Sequence, residues 1–213
     1  MATSTPLDEK LSSRVTTGLL RMGTALRSHA WEGAALSGLT PTQGEILTLL
    51  LLRGVPMRLG KIAEDAALTS ATVSEAVSTL ESKGLVEKRR DANDGRALGL
   101  RLTTKGRTSA KRASQWASFV TTAADLMSDK DRAQLYRMLL KLISTMEIRG
   151  DMTRQRMCLT CEHLETAARG KGMYHCNYFN TTFDDSRLAI DCNAHEEASI
   201  ATRNKIWKLY SKS

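Results

Sequence analysis

The sequence predicts a mainly α-helical chain with one small β-hairpin and a small cysteine-liganded lobe at its C-terminal end. Three observations predict it. Apolar residues recur at helical spacing over most of the chain up to Arg149, the period drops to two near Leu98, and all four cysteines lie after residue 157. The 213 residues, 41% hydrophobic and 25% charged, suffice for one substantial core or for a core with an appendage.

The elements follow in order. Leu7, Leu11, Val15, Leu19, Met22 and Leu26 form one apolar stripe on a long first helix. Thr40-Pro41-Thr42 starts a second helix, whose Ile46, Leu47, Leu49, Leu50 and Leu51 look buried and which ends at Gly54 and Pro56. Leu59, Ile62, Ala63 and Ala66 mark a short third helix, and Leu68-Thr69-Ser70 a break with an N-cap. Val73, Ala76, Val77 and Leu80 line the inner face of a fourth helix, closed by Gly84. Leu85 to Arg89 reads as a strand, Asp91 to Gly95 as a turn, and Leu98, Leu100 and Leu102 as the returning strand. From Thr104 the chain is helical again, with Trp116, Val120, Ala123 and Met127 on one stripe and Leu135, Met138, Leu142 and Met146 on another. The predicted organisation is an N-terminal helical segment at 1–40, a helix–helix–hairpin domain at 41–103, two further helices at 104–150 and the cysteine extension at 151–213.

Lys and Arg number 31 against 23 Asp and Glu, a net charge of +8. That balance favours a polyanionic partner. The first ten residues lack an apolar signal core, and the longest apolar run, Ile46 to Leu52, is too short for a membrane span. A cytoplasmic protein with no membrane partner is expected.

The third and fourth helices make a helix-turn-helix. The fourth turns short polar side chains outward, among them Ser70, Thr72, Ser74, Glu75 and Thr79, so it can lie close to base edges and phosphates. The hairpin beside it carries Lys88, Arg89 and Arg90 on one strand and Arg96 at the turn, a basic wing able to reach phosphates and the minor groove. Asp94 stands two residues from Arg96, close enough to orient its guanidinium.

Leu59-Gly-Lys-Ile-Ala-Glu, Thr72-Val-Ser-Glu, Leu80-Glu-Ser-Lys-Gly-Leu-Val-Glu-Lys, Asp91-Ala-Asn-Asp-Gly-Arg and Leu102-Thr-Thr-Lys-Gly-Arg occur in this order. Through them the chain resembles the MarR family of bacterial regulators over about residues 7 to 148. The resemblance implies a winged helix-turn-helix fold. It also implies a homodimer built from the first helix and the two helices after the wing, bound to double-stranded DNA at a pseudo-palindromic operator. It makes Asp94 and Arg96 the wing pair. Glu75 departs from the family pattern, where a basic residue is common.

The cysteines, Cys158, Cys161, Cys176 and Cys192, are spaced C-x2-C-x14-C-x15-C. A C-x-x-C pair aims two thiolates at one centre from a single turn, and two more from distant loops complete four ligands. The spacing resembles that of high-potential iron–sulfur proteins. An iron–sulfur cluster is expected, 4Fe-4S ahead of 2Fe-2S, with Zn2+ the alternative. Tyr174, Tyr178, Phe179 and Phe183 surround Cys176 in sequence and could wall a cluster from water. His163, His175 and His195 are candidate donors to sulfur, or ligands if the metal is zinc.

The leading expectation is a dimeric DNA-binding transcription regulator sensing redox, iron or a reactive gas through the cluster. The alternative is a regulator of the same type with a structural zinc and a separate small-molecule effector. A thiol or metal redox enzyme ranks last, because no phosphate-binding glycine loop and no nucleophile–base arrangement accompanies the cysteines.

Overall fold

The computed structural model describes residues 9–90, 98–166 and 172–212. It is mostly helical, with a two-stranded hairpin and a second, three-stranded sheet. The chain divides into two compact units, Met1–Thr122 and Ala123–Ser213.

The first unit holds α1 (Leu11–Ser37), α2 (Pro41–Arg53), α3 (Leu59–Asp65), α4 (Ser70–Ser82), β1 (Val86–Arg90), β2 (Leu98–Leu102) and α5 (Thr104–Ala113). The start of α2 is a capping box. Thr40 Oγ1 accepts from Gln43 N–H, Gln43 Oε1 accepts from Thr40 N–H, and Pro41 occupies the first turn. Ile46, Leu47 and Leu50 of α2, Ile62 of α3, Val73, Val77 and Leu80 of α4 and Leu100 of β2 share one core.

Gly33, Gly44 and Gly106 allow close approaches in this unit. A Cβ on Gly106 of α5 would stand 1.8 Å from the Leu85 carbonyl oxygen, so the helix can touch the backbone just before β1 only because none is there. A Cβ on Gly44 would overlap the Trp116 indole at 2.2 Å, and one on Gly33 of α1 would meet the same ring at 2.3 Å. Trp116 therefore fills a slot that glycines on α1 and α2 leave open. The chain turns after Ala113 to deliver it, and α6 (Ser118–Asp125) begins beyond that turn. The single stripe expected through Trp116, Val120, Ala123 and Met127 is broken for this reason.

The second unit contains α7 (Asp129–Arg149), a sheet of β3 (Leu164–Thr166), β4 (Met173–Cys176) and β5 (Thr181–Asp184), and α8 (Ile200–Ser211). The sheet is antiparallel with β4 central; Cys176 lies opposite Leu164 on one side and Thr181 on the other. Leu140 of α7 packs with Met157, Leu159, Leu188, Ile206 and Tyr210 in a second core, against which Tyr136 and Ile143 also rest. Tyr136 Oη donates to the Leu188 carbonyl, Lys141 Nζ to the Ser211 carbonyl at 3.1 Å, and Arg137 pairs with Asp185 at 3.0 Å. One face of α7 is thus committed to the cysteine lobe, while Leu135, Met138 and Leu142 stay exposed. Among the described residues, no helix is long and apolar enough to cross a membrane.

Candidate nucleic-acid interface and cysteine centre

Helix α4 begins where Thr69 Oγ1 accepts the Thr72 N–H at 3.1 Å. Its buried side is Val73, Ala76, Val77 and Leu80, so Ser70, Thr72, Ser74 and Glu75 fall on the exposed side and Thr79 at its edge. It ends in a two-bond cap. Leu85 N–H donates to the Leu80 carbonyl at 2.9 Å and Gly84 N–H to the Glu81 carbonyl at 2.8 Å, with Gly84 at φ +66°. Leu80 and Leu85 are both buried. The cap fixes the exit direction of α4 and the entry direction of β1 together.

In the hairpin, Val86 pairs with Leu102, Lys88 with Leu100 and Arg89 with Gly99. Val86, Leu100 and Leu102 turn into the core, and Lys88 and Arg89 are exposed. Part of the basic charge is met locally. Lys88 pairs with Glu81 of α4 at 2.7 Å, and Glu87 lies 2.6 Å from Arg101 Nε and 3.4 Å from Arg89 Nε. The Arg101 hydrogen bond holds the Glu87 carboxyl below its usual range. Asp94 and Arg96 lie outside the described residues, as does the side chain of Arg90. Sequence reasoning missed Glu81 as a partner of the wing and Lys83 as a tie. Lys83 Nζ donates to the Gly38 carbonyl at 2.6 Å and to Gln43 Oε1 at 3.2 Å, joining the end of α4 to the start of α2.

A buried ion pair braces the same unit. Arg53, closing α2, meets Asp65, closing α3, at 3.0 Å, with side chains 8% and 9% exposed. Lys61 reaches the other Asp65 oxygen at 3.0 Å. Burial alone would raise the Asp65 carboxyl, but the hydrogen bonds and charges of Lys61 and Arg53 outweigh it and hold the group low.

In the second unit all four cysteines line one cavity of about 160 Å³. They arrive from different places: Cys158 opens the Cys158–Thr160 turn and Cys161 follows it, Cys176 ends β4, and Cys192 lies in a loop after the Asp185–Arg187 turn. The loops are tied to one another by backbone bonds. Cys158 N–H donates to the Ala189 carbonyl and Cys192 N–H to the Arg156 carbonyl, each at 3.0 Å. Arg156 returns two bonds, to the carbonyls of Cys192 at 2.9 Å and Asn193 at 2.7 Å. Its role had no signal in the sequence, since its partners stand more than thirty positions away. Cys158 Sγ accepts the Ala189 N–H at 3.2 Å, the kind of bond that supports a thiolate. Burial pushes the Cys158 thiol up to about 11, with the other three cysteines adding to the rise, so a thiolate there needs a cationic centre beside it. The donor set suits a thiophilic metal group. No three His, Cys, Asp or Glu side chains among the described residues are arranged to hold a single metal ion.

The neighbouring aromatic and histidine residues divide. Phe179 and Phe183 line the cavity, whereas Tyr174 is buried in the lobe core, and Tyr178 and Phe179 are each 59% exposed. Among the histidines, His163 lines the cavity; its Nε2 is 3.5 Å from Glu196 Oε1 and makes no hydrogen bond among the described residues. His175 Nδ1 pairs across the sheet with Thr182 Oγ1 at 2.9 Å, and His195 Nε2 with Thr160 Oγ1 at 3.0 Å, so both rings are held by hydroxyls. Burial, then the Arg156 charge, holds His195 below its usual value.

Residues 39–98 match the family model described as "MarR family". The HTH-type transcriptional repressor Rv2887 of Mycobacterium tuberculosis is 32% identical over 130 residues, 58% of this chain and 89% of that protein. The crystal structure of the S. aureus MepR-DNA complex is 26% identical, covers 61% of this chain and 96% of that one, and superposes with a TM-score of 0.50. A MarR-family regulator from Rhodococcus sp. RHA1, 18% identical over 66% of this chain and 96% of its own, shares the fold at a TM-score of 0.50.

Proposed function

The chain belongs to the MarR family and is a DNA-binding transcription regulator, not an enzyme, and from that premise we propose that it is a homodimeric regulator whose operator binding is governed by an iron–sulfur cluster in the cysteine lobe. Helix α4 would enter the major groove of a pseudo-palindromic operator and present Ser70, Thr72, Ser74, Glu75 and Thr79. Arg89 and Arg90 would meet phosphates, and Asp94 would orient Arg96 at the minor groove. The exposed apolar residues of α1, among them Leu11, Leu19 and Met22, and those of α7, Leu135, Met138 and Leu142, supply faces for a second copy.

One observation carries the sensing part: four cysteines from separate segments line a single cavity. That donor set suits a four-iron cluster, with tetrahedral zinc the alternative. When bound, such a cluster supplies a redox-active, oxidant-labile centre. Cys158, Cys161, Cys176 and Cys192 would hold it, the Ala189 N–H would support the Cys158 sulfur, and Phe179 and Phe183 would restrict water.

Helix α7 provides the coupling. Its Leu140 face is packed by the lobe and its Leu135–Met138–Leu142 face is open. A change in lobe packing therefore bears on the helix offered to the second subunit. The test is an anaerobic absorption spectrum with iron, sulfide and zinc assays, paired with operator binding of the same samples at fixed salt. Brown protein with matched iron and sulfide, and a changed affinity after cluster removal, is the expected result. Colourless protein with about one zinc per chain would replace the cluster with a structural ion. Equal affinity with and without the cluster would remove the sensing role.

A further inference from the structure

The second unit contains another cavity, between α7 and α8, for which the cysteine centre has no use. Its volume is about 240 Å³, below the roughly 300–1,000 Å³ of pockets for drug-sized molecules. Part of its lining is apolar: Ile148, Leu159, Ile200 and Trp207. The polar part is Ser144, Glu147, Arg154 and Arg203 with Thr160 and Asn204.

Ser144 is the signal that something is meant to enter. It is 4% exposed, and its Oγ has no hydrogen-bond partner among the described residues. A helical hydroxyl commonly bonds the carbonyl one turn back, as Thr145 does to Lys141 at 2.8 Å. Ser144 forgoes that bond, and a buried hydroxyl left unpaired is costly. A ligand atom that pairs with it recovers the loss.

The charges around the cavity specify the ligand. Arg154 and Arg203 both donate through Nη1 to one oxygen, Glu197 Oε1, Arg203 at 2.7 Å. Each guanidinium carries five N–H donors, so both retain capacity for a second carboxylate. Glu147 brings the opposite sign; its Oε1 accepts the Gln155 N–H at 2.7 Å. Two acids, Glu147 and Glu197, balance two arginines. A simple anion would meet Glu147 and a simple cation the guanidiniums, whereas a molecule bearing both charges satisfies each group.

We propose that this cavity binds a small zwitterion with an apolar body, the class of an aliphatic or aromatic α-amino acid. Its carboxylate would face Arg154 and Arg203, its ammonium Glu147 and Ser144, and its side chain Trp207 and Leu159. Leu159 and Thr160 are the two residues between Cys158 and Cys161, so the ligand would rest on the back of the turn that presents two of the thiols. That link to the cysteine centre rests on the function proposed above; the binding itself does not.

The experiment is isothermal titration of the full-length protein with L-leucine, L-methionine and L-phenylalanine, and with the deamino and decarboxy analogues of each. At least one amino acid is expected to bind once per chain, at least about tenfold tighter than either of its analogues. Arg203→Gln and Glu147→Gln, checked for unchanged circular dichroism, should each weaken it by about tenfold or more. Ser144→Ala should weaken binding while raising the melting temperature of the unliganded protein, since it deletes an unpaired hydroxyl. The proposal is overturned by no binding up to about 10 mM, by an analogue binding as tightly as its amino acid, or by affinity that survives both charge variants. A Ser144→Ala protein that melts lower unliganded would overturn it too. Failure of the cluster reading would appear as colourless protein with the same titration.

Discussion

Arg53 and Asp65 show how much a single pair can hold. Their ion pair joins the ends of α2 and α3 with both side chains buried. Arg53→Met leaves the Asp65 carboxylate buried with only Lys61 to meet it, and the expected cost is about 3 kcal/mol. Urea unfolding at neutral pH measures it, and an unchanged midpoint would show that Lys61 alone suffices. The sign of the pH effect follows from the lowered Asp65 value. A carboxyl held low in the folded state contributes stability above its ordinary value of 3.8, and that stability is lost as pH falls through the folded value. Wild type should therefore lose stability more steeply than Arg53→Met on acidification below about pH 4. None of this was visible in the sequence, because the two residues stand twelve positions apart with no pattern that pairs them. Ser144 was hidden as well: a serine on a helical stripe carries no mark of the cavity it will line.

At the scale of elements, local rules read well and long-range ones poorly. The buried face of α4, its Thr69 cap and its Gly84 exit all follow from spacing and residue type, because each depends on neighbours within one or two turns. The hairpin strands were equally legible from Leu98, Leu100 and Leu102. The break between α5 and α6 was not, since it depends on Gly33 and Gly44 leaving a slot for Trp116. Strands β3 to β5 were also missed; at three or four residues each they are too short to show a period. Gly106 gives the sharpest test of a close approach. Gly106→Ala forces its Cβ onto the Leu85 carbonyl oxygen, and displacing α5 from the strand should cost about 1–3 kcal/mol. Chemical denaturation provides the number, and a neutral substitution would mean that α5 stands farther from β1.

For the whole molecule, the first unit holds α4 and the hairpin strands and the second holds the four cysteines. Cys176→Ser is expected to strip the cofactor while leaving the first unit folded. Calorimetry should then show an early transition for Ala123–Ser213 moving down and a later one for the first unit unmoved. Full retention of metal would exclude Cys176 as an essential ligand. The four-cysteine cluster was legible as a group because its residue type is rare and its spacing compact. The Arg156 clamp and the α7 seat were not, because they join residues far apart in sequence. The packing of Leu140 against Leu188, Ile206 and Tyr210 also bears on biosynthesis. Ribosomes deliver α4 and the wing long before Tyr210, and early units fold as they emerge. Helix α7 nevertheless waits, its inner face bare, until those last apolar residues arrive. A half-made chain thus carries a complete α4 before α7 has the residues it packs against.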